Sequence, residues 1–302
     1  MNKLFIFDFD GTLSWLRAGW PKIMTQLLSK YLPILQNETE ENRNRLIGDI
    51  TFGLSGQATM VQMQHFVRLA NLRKQIVPPA SILYQDYLFR LNAIVDNRKK
   101  MIRNHDKSPL DFLIQGSIEF LTWLENKESV CAIVSGTEQD LVREEAQLLG
   151  ISRFFGERIY GCTGDPLKYK KALIFSQLIR DTGASGNNII AFGDGPTEIK
   201  ECKRLGGYAV AICSDEEQRH SKTCDPIKQT QLLAAGADTA IPNFTDVINF
   251  LIIVCFGTQL NFINQGFPTY GLLISLLLVL FLGLLFFSPS FLYKLALKIP
   301  VI

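Results

Sequence analysis

Apolar residues along most of the chain fall into short unbroken runs rather than an alternating pattern. The runs are Leu4 to Phe9, Val130 to Val134, the stretch around Ile159, Asn188 to Phe192, Gly207 to Ile212, and a weaker one before Pro242. Continuous runs of this length suit strands covered on both faces, as in a parallel sheet. Amphipathic stretches separate them: Ser117 to Asn126, Glu138 to Leu149, Lys171 to Thr182 and Pro196 to Leu205. Alternating strands and helices predict an α/β fold with an open, doubly wound parallel sheet.

One long segment stays outside this alternation. From Ser14 to about Asp106 the chain carries helical patterns such as WPKIMTQLLSKYL and GQATMVQMQHFVRLANL, with few strand formers. It reads as an α-helical cap inserted after the first strand. The expected division is a core of residues 1–14 and 107–250, a cap of 15–106 and a tail of 251–302. Met60, Met63 and Phe66 share helical spacing and read as cap core.

The tail changes the picture, because no Lys, Arg, Asp or Glu lies between Asp246 and Lys294. Gly271 to Phe287 is apolar apart from Ser275, which predicts a membrane segment over 270–288. The expected location is therefore membrane-associated through the C-terminal tail, with the catalytic domain in the cytoplasm. Lys294 and Lys298, beyond the apolar segment, would place the C-terminus on that same side; a re-entrant or interfacial segment would remove the conflict.

Composition narrows the rest. With 302 residues, 47% of them hydrophobic, the chain can bury a large core, and its net charge of +2 gives no case for nucleic acid as a partner. The six cysteines are scattered, with no CxxC pair and no histidines at zinc-ligand spacing, and read as buried thiols in a reducing compartment. Asp8 interrupts what a signal peptide would need as an apolar stretch. His65, His105 and His220 fall in polar or helical surroundings and read as structural or solvated.

The chemistry sits after the apolar runs, where open α/β sheets place their ligands. Asp8 and Asp10 arrive two positions apart before Gly11, so a strand's end would aim both carboxylates into one volume. A hard divalent cation relieves such crowding. Ser135-Gly136 follows the second run, the GDGPTE stretch containing Asp194 and Glu198 follows NIIAF, and Lys168, Lys170 and Lys171 cluster between. Each piece alone is a common turn or a solvated charge; in this order and context they form a set.

That set resembles the four motifs of the haloacid dehalogenase superfamily, over Met1 to about Phe250. The stretches FDFDGTLSWLRAGW, TFGLSGQATMVQM and FGDGPTEI are similar to its helical-capped branch related to phosphoglycolate phosphatases. The resemblance implies an Mg2+-dependent phosphatase of a small phosphorylated metabolite, working through an aspartyl-phosphate. Asp8 would be the nucleophile and Asp10 the general acid and base. Ser135 and the Gly136 amide would bind phosphoryl oxygens, and Lys170 would balance charge, with Lys171 as runner-up. Asp8, Asp10 through its main-chain carbonyl and Asp194 would hold the metal. Glu198, where the family usually has aspartate, would reach it through water or from the outer shell. Arg17, next to the catalytic loop, is a candidate substrate contact. A phosphomutase, or a membrane-tethered binding or scaffold protein that lost activity, are the alternatives; a dehalogenase would not need Asp10 or the metal set.

Overall fold

The computed structural model describes residues 3–54 and 58–248. The chain divides into two compact units, residues 1–245 and 246–302, and the first is described below. Its centre is a six-stranded, all-parallel sheet: β1 Leu4–Phe7, β2 Val130–Glu138, β3 Ile159–Cys162, β4 Ile189–Gly193, β5 Tyr208–Ile212 and β6 Thr239–Ile241, in the order β3-β2-β1-β4-β5-β6. Order reverses around β1, which makes the sheet doubly wound and opens a crevice at the C-terminal ends of its central strands.

Both faces of β1 are covered. Leu4 and Ile6 pack with Phe175, Leu178, Ile199 and Ala209 on one side. Phe5 and Phe7 enter a phenylalanine cluster on the other, where Phe7 stacks on Phe192 at 4.9 Å and Phe120 on Phe244 at 5.4 Å. This is why the strand reads LFIF instead of alternating. Helices α5 Ser117–Glu125, α6 Gln139–Leu148, α7 Lys171–Thr182, α8 Pro196–Arg204 and α9 Pro226–Ala234 complete the layers.

Between β1 and α5 come four further helices, α1 Trp20–Tyr31, α2 Glu40–Thr51, α3 Thr59–Leu72 and α4 Ala80–Arg103. They enclose their own apolar core, including Met24, Leu28, Met63, Phe66 and Leu91. Arg98 of α4 ties that helix to the connection after β1, its guanidinium donating to the carbonyls of Trp15, Leu16 and Ala18 at 3.2, 2.9 and 2.7 Å.

Two expectations change. Strand β1 stops at Phe7, not Phe9, because the Phe9 carbonyl accepts the amides of Leu13 and Ser14 (both 2.9 Å) and turns the chain out of the sheet. The expected membrane segment, and the membrane-associated location built on it, is corrected: among the described residues no helix is long and apolar enough to cross a membrane. The longest, α4, carries Asp86, Arg90, Asp96, Arg98 and Lys99 along its length, and Gly271 to Phe287 lies outside the described residues.

Candidate active site

Register brings the chemical groups together. Phe7 is level with Ile133 of β2 and with Phe192 of β4, so Asp8 and Asp194 emerge just beyond the ends of β1 and β4, beside Ser135, which lies in the part of β2 that runs on past its pairing with β1. Asp8, Asp10, Ser135, Gly136, Lys171 and Asp194 line one cavity of about 410 Å³ whose opposite wall comes from α1, α3 and α4. Gly11 permits the close approach of the β1 and β4 loops: its φ is 73°, and a Cβ there would sit 2.1 Å from Asp194 Oδ2.

The lysine beside Asp8 is Lys171, not Lys170. Lys171 Nζ donates to Asp8 Oδ1 at 2.6 Å and to Glu198 Oε1, and only 3% of the residue is exposed. Lys170 is exposed, in extended backbone just ahead of α7. The first helical residue points into the site, and counting spacing to Asp194 could not resolve a one-residue difference. Burial alone would lower the Lys171 pKa, but Asp8 and Glu198 outweigh it and hold the ammonium charged. Burial pushes Asp8 well above the ordinary carboxylate range, with Lys171 opposing and Glu198 and Asp194 adding to the rise. Asp194, also buried, is raised to about 6 despite Lys228 at 3.7 Å.

Asp10 sits apart from that cluster, in the turn after β1. Its Oδ2 accepts the Thr137 hydroxyl at 2.8 Å and its Oδ1 accepts Arg17 Nη1 at 3.1 Å. Arg17, expected as a substrate contact, lines the cavity with its guanidinium engaged by carboxylates. It is 7% exposed and its guanidinium forks onto Glu145, with Nη2 to Oε1 at 2.8 Å and Nη1 to Oε2. Ser135 Oγ accepts the Thr137 amide at 3.1 Å, and its carbonyl accepts the Tyr169 hydroxyl at 2.7 Å.

Thr137, Glu145, Tyr169 and Lys228 were not singled out from the sequence. Glu145 left a trace: it lies at the spacing of Val142 and Ala146 on the buried stripe of α6, where a carboxylate demands a buried cation. Thr137 lies two residues beyond Ser135, and nothing in its own type marks it.

One carboxylate oxygen of Glu198 accepts from Lys171. Its Oε2 is buried with no partner. Among the described residues no three Asp, Glu, His or Cys side chains form a metal cage. Two carboxylates beside a substrate phosphate suffice for Mg2+, which keeps several waters. Asp8 and Asp194, hard oxygen donors lining one cavity and near enough that Asp194 adds to the rise of the Asp8 pKa, fit that description.

The description of a haloacid dehalogenase-like hydrolase matches residues 2–206. A conserved haloacid dehalogenase-like protein of unknown function from Agrobacterium tumefaciens shares the fold at 18% identity, covering 84% of this chain and 100% of its own, with a TM-score of 0.57. A predicted phosphatase from Clostridium acetobutylicum aligns at 12% identity, 83% and 99% coverage and TM-score 0.56. A predicted phosphoglycolate phosphatase from Haemophilus somnus aligns at 18% identity, 83% and 98% coverage and TM-score 0.54. No curated protein matches the sequence. With more than half of the chain matched, over the same loops that converge on the cavity, this protein belongs to the haloacid dehalogenase-like hydrolases.

Proposed function

We propose that the cavity hydrolyses a small phosphomonoester through an aspartyl-phosphate on Asp8. The observation that carries this reading is the division of labour between two carboxylates on one loop. Asp8 Oδ1 is held by Lys171, which leaves Oδ2 for attack, while Asp10 is held separately by Thr137 and Arg17. In the first step Asp8 Oδ2 bonds to phosphorus, the bond to the leaving oxygen breaks, and Asp10 gives that oxygen its proton. In the second, water attacks the same phosphorus and Asp10 takes its proton. The phosphorus–Oδ2 bond then breaks to release phosphate and restore Asp8.

The other residues serve charge and position. The Ser135 hydroxyl and Gly136 amide would donate to phosphoryl oxygens, and Lys171 would offset charge on nucleophile and phosphate. Arg17 acts as a positioning residue, fixing the Asp10 carboxylate through the buried pair with Glu145. Asp8, Asp194 and the Asp10 carbonyl would hold Mg2+, with Glu198 Oε2 in reach of a bound water. The ion would supply charge stabilisation at the phosphoryl oxygens.

The test is turnover of an aryl phosphate by purified protein with MgCl2. Hydrolysis should be metal-dependent and should fall by roughly three orders of magnitude or more in Asp8→Asn with little change in Tm. Absence of hydrolysis across a panel of phosphomonoesters, or more than a few per cent activity in Asp8→Asn, would overturn the reading. Transfer of the phosphoryl group back to the substrate instead of to water would identify a mutase.

A further inference from the structure

Among the described residues, the cavity wall facing the phosphate end carries no uncommitted cation. Two cationic side chains line the cavity, and both are committed: Lys171 to Asp8 and Glu198, Arg17 to Asp10 and Glu145. Lys200 and Lys228 line a different groove, and Lys228 is near Asp194 and Glu216 at 3.7 and 3.9 Å.

What the wall does carry is acidic, neutral and aromatic. Helix α6 opens on the cavity, which by its dipole would attract an anion, but Glu138 immediately precedes it and Asp140 stands in its first turn. Both are exposed, and neither forms an ion pair among the described residues. Glu138 and Tyr84 of α4 both line the cavity, and burial, then Cys162 and Glu138, raise that phenol's pKa. Gln62 donates its amide to the carbonyls of Ile50 and Thr51 at 3.4 and 2.9 Å, which leaves its own carbonyl as an acceptor. Trp20, Tyr84 and Tyr87 supply ring surface, and Asn92 a neutral donor.

We propose, building on the phosphatase reading, that the substrate is a phosphomonoester whose leaving group is an uncharged, hydroxyl-bearing carbon skeleton, and that leaving groups with a carboxylate or a second phosphate are rejected. Hydroxyls find acceptors at Glu138 and Gln62 and a donor at Asn92, and carbon faces stack on the rings. A second anion would meet Glu138 and Asp140 with no counter-charge. The cavity volume admits a skeleton larger than two carbons. Selectivity would thus run opposite to that expected of a phosphoglycolate phosphatase, whose leaving group bears a carboxylate.

Calorimetric titration of the 302-residue Asp8→Asn chain with MgCl2 tests this, using two pairs that differ only at a carboxylate. The pairs are 2-hydroxyethyl phosphate against 2-phosphoglycolate, and sorbitol 6-phosphate against 6-phosphogluconate. The hydroxyl member should bind more tightly by at least about tenfold in the larger pair. Glu138→Gln should narrow that ratio, and Glu138→Lys should narrow it further or reverse it. Inhibition of aryl phosphate hydrolysis in the wild-type chain should rank the compounds identically, so the result does not depend on one variant folding. Equal or tighter binding of the carboxylates, a ratio indifferent to Glu138, or binding of inorganic phosphate but of neither sorbitol 6-phosphate nor 2-hydroxyethyl phosphate would overturn the assignment. Failure to bind inorganic phosphate or any phosphomonoester would instead remove the phosphatase reading on which it rests.

Discussion

Two buried cations decide how the carboxylates of this site are used. Lys171 lies between Asp8 and Glu198, and Arg17 between Asp10 and Glu145. Exchanging the two adjacent lysines makes a sharp comparison. Lys170→Ala should leave turnover within about twofold of wild type, whereas Lys171→Met should lose at least about 100-fold in kcat and also lower Tm, since two buried carboxylates lose their partner. Equal losses in both variants would remove Lys171 from its assigned role. Arg17→Ala leaves Glu145, which is fully buried, without a counter-charge. A penalty of about 3–5 kcal/mol in urea unfolding is expected for breaking such a pair. Arg17→Met combined with Glu145→Leu should recover much of that stability, because neither charge is then buried alone, yet kcat should remain low because Asp10 has lost its support. Recovery of kcat along with stability would show that Arg17 serves only the fold.

At the scale of elements, the helical insertion is held by its own polar contacts as well as its core. Glu38, in the connection between α1 and α2, accepts Arg73 Nη1 at 2.6 Å beyond the end of α3. The hydrogen bond from Arg73 lowers the Glu38 pKa to about 2 from an ordinary 4.5. A depressed carboxylate pKa means that the unfolded chain takes up the proton first as pH falls. The stabilisation is therefore fully present above about 4.5 and is lost as pH drops toward 2. The difference in urea midpoint between wild type and Glu38→Gln should be constant from pH 7 to 5 and shrink below about 4.5. A difference unchanged down to pH 3 would show that the pair contributes nothing through its charge.

For the molecule as a whole, the site is assembled from β1, β2, β4, α6 and α7 together with the helical insertion, so its metal should couple to global stability. Burial and then the carboxylates of Glu198 and Asp194 raise the Asp8 pKa against the pull of Lys171, and a cation between Asp8 and Asp194 would relieve that repulsion. MgCl2 at about 100 times its Kd should stabilise the folded state by about 2.7 kcal/mol, read as a rise of several degrees in Tm that EDTA reverses. Asp194→Asn should abolish the shift. An equal shift in wild type and variant would place Mg2+ binding elsewhere.

The chain's order of apolar runs and helical patterns was enough to determine a parallel, doubly wound sheet, because strands covered on both faces must be apolar throughout, as LFIF in β1 is. The same local signals read the segment after β1 as helical and put Asp8, Asp10 and Asp194 after strands, since ligands of such sheets gather there, whereas Ser135 lies within β2, which runs on to Glu138. Local signals could not decide what depends on contacts between distant segments. Choosing Lys171 over Lys170 required the direction in which α7 begins relative to Asp8, 163 positions away in sequence. Arg17 looked free to meet a substrate until α6 brought Glu145 to it from 128 residues away. The acidic wall at Glu138 exists only because β2 continues past Val134 and is paired at Glu138 with Cys162 of β3, which carries the start of α6 to the cavity. Burial, charge partnership and facing direction are properties of the folded contacts, and these set which side chains meet in the cavity where residue type alone could not.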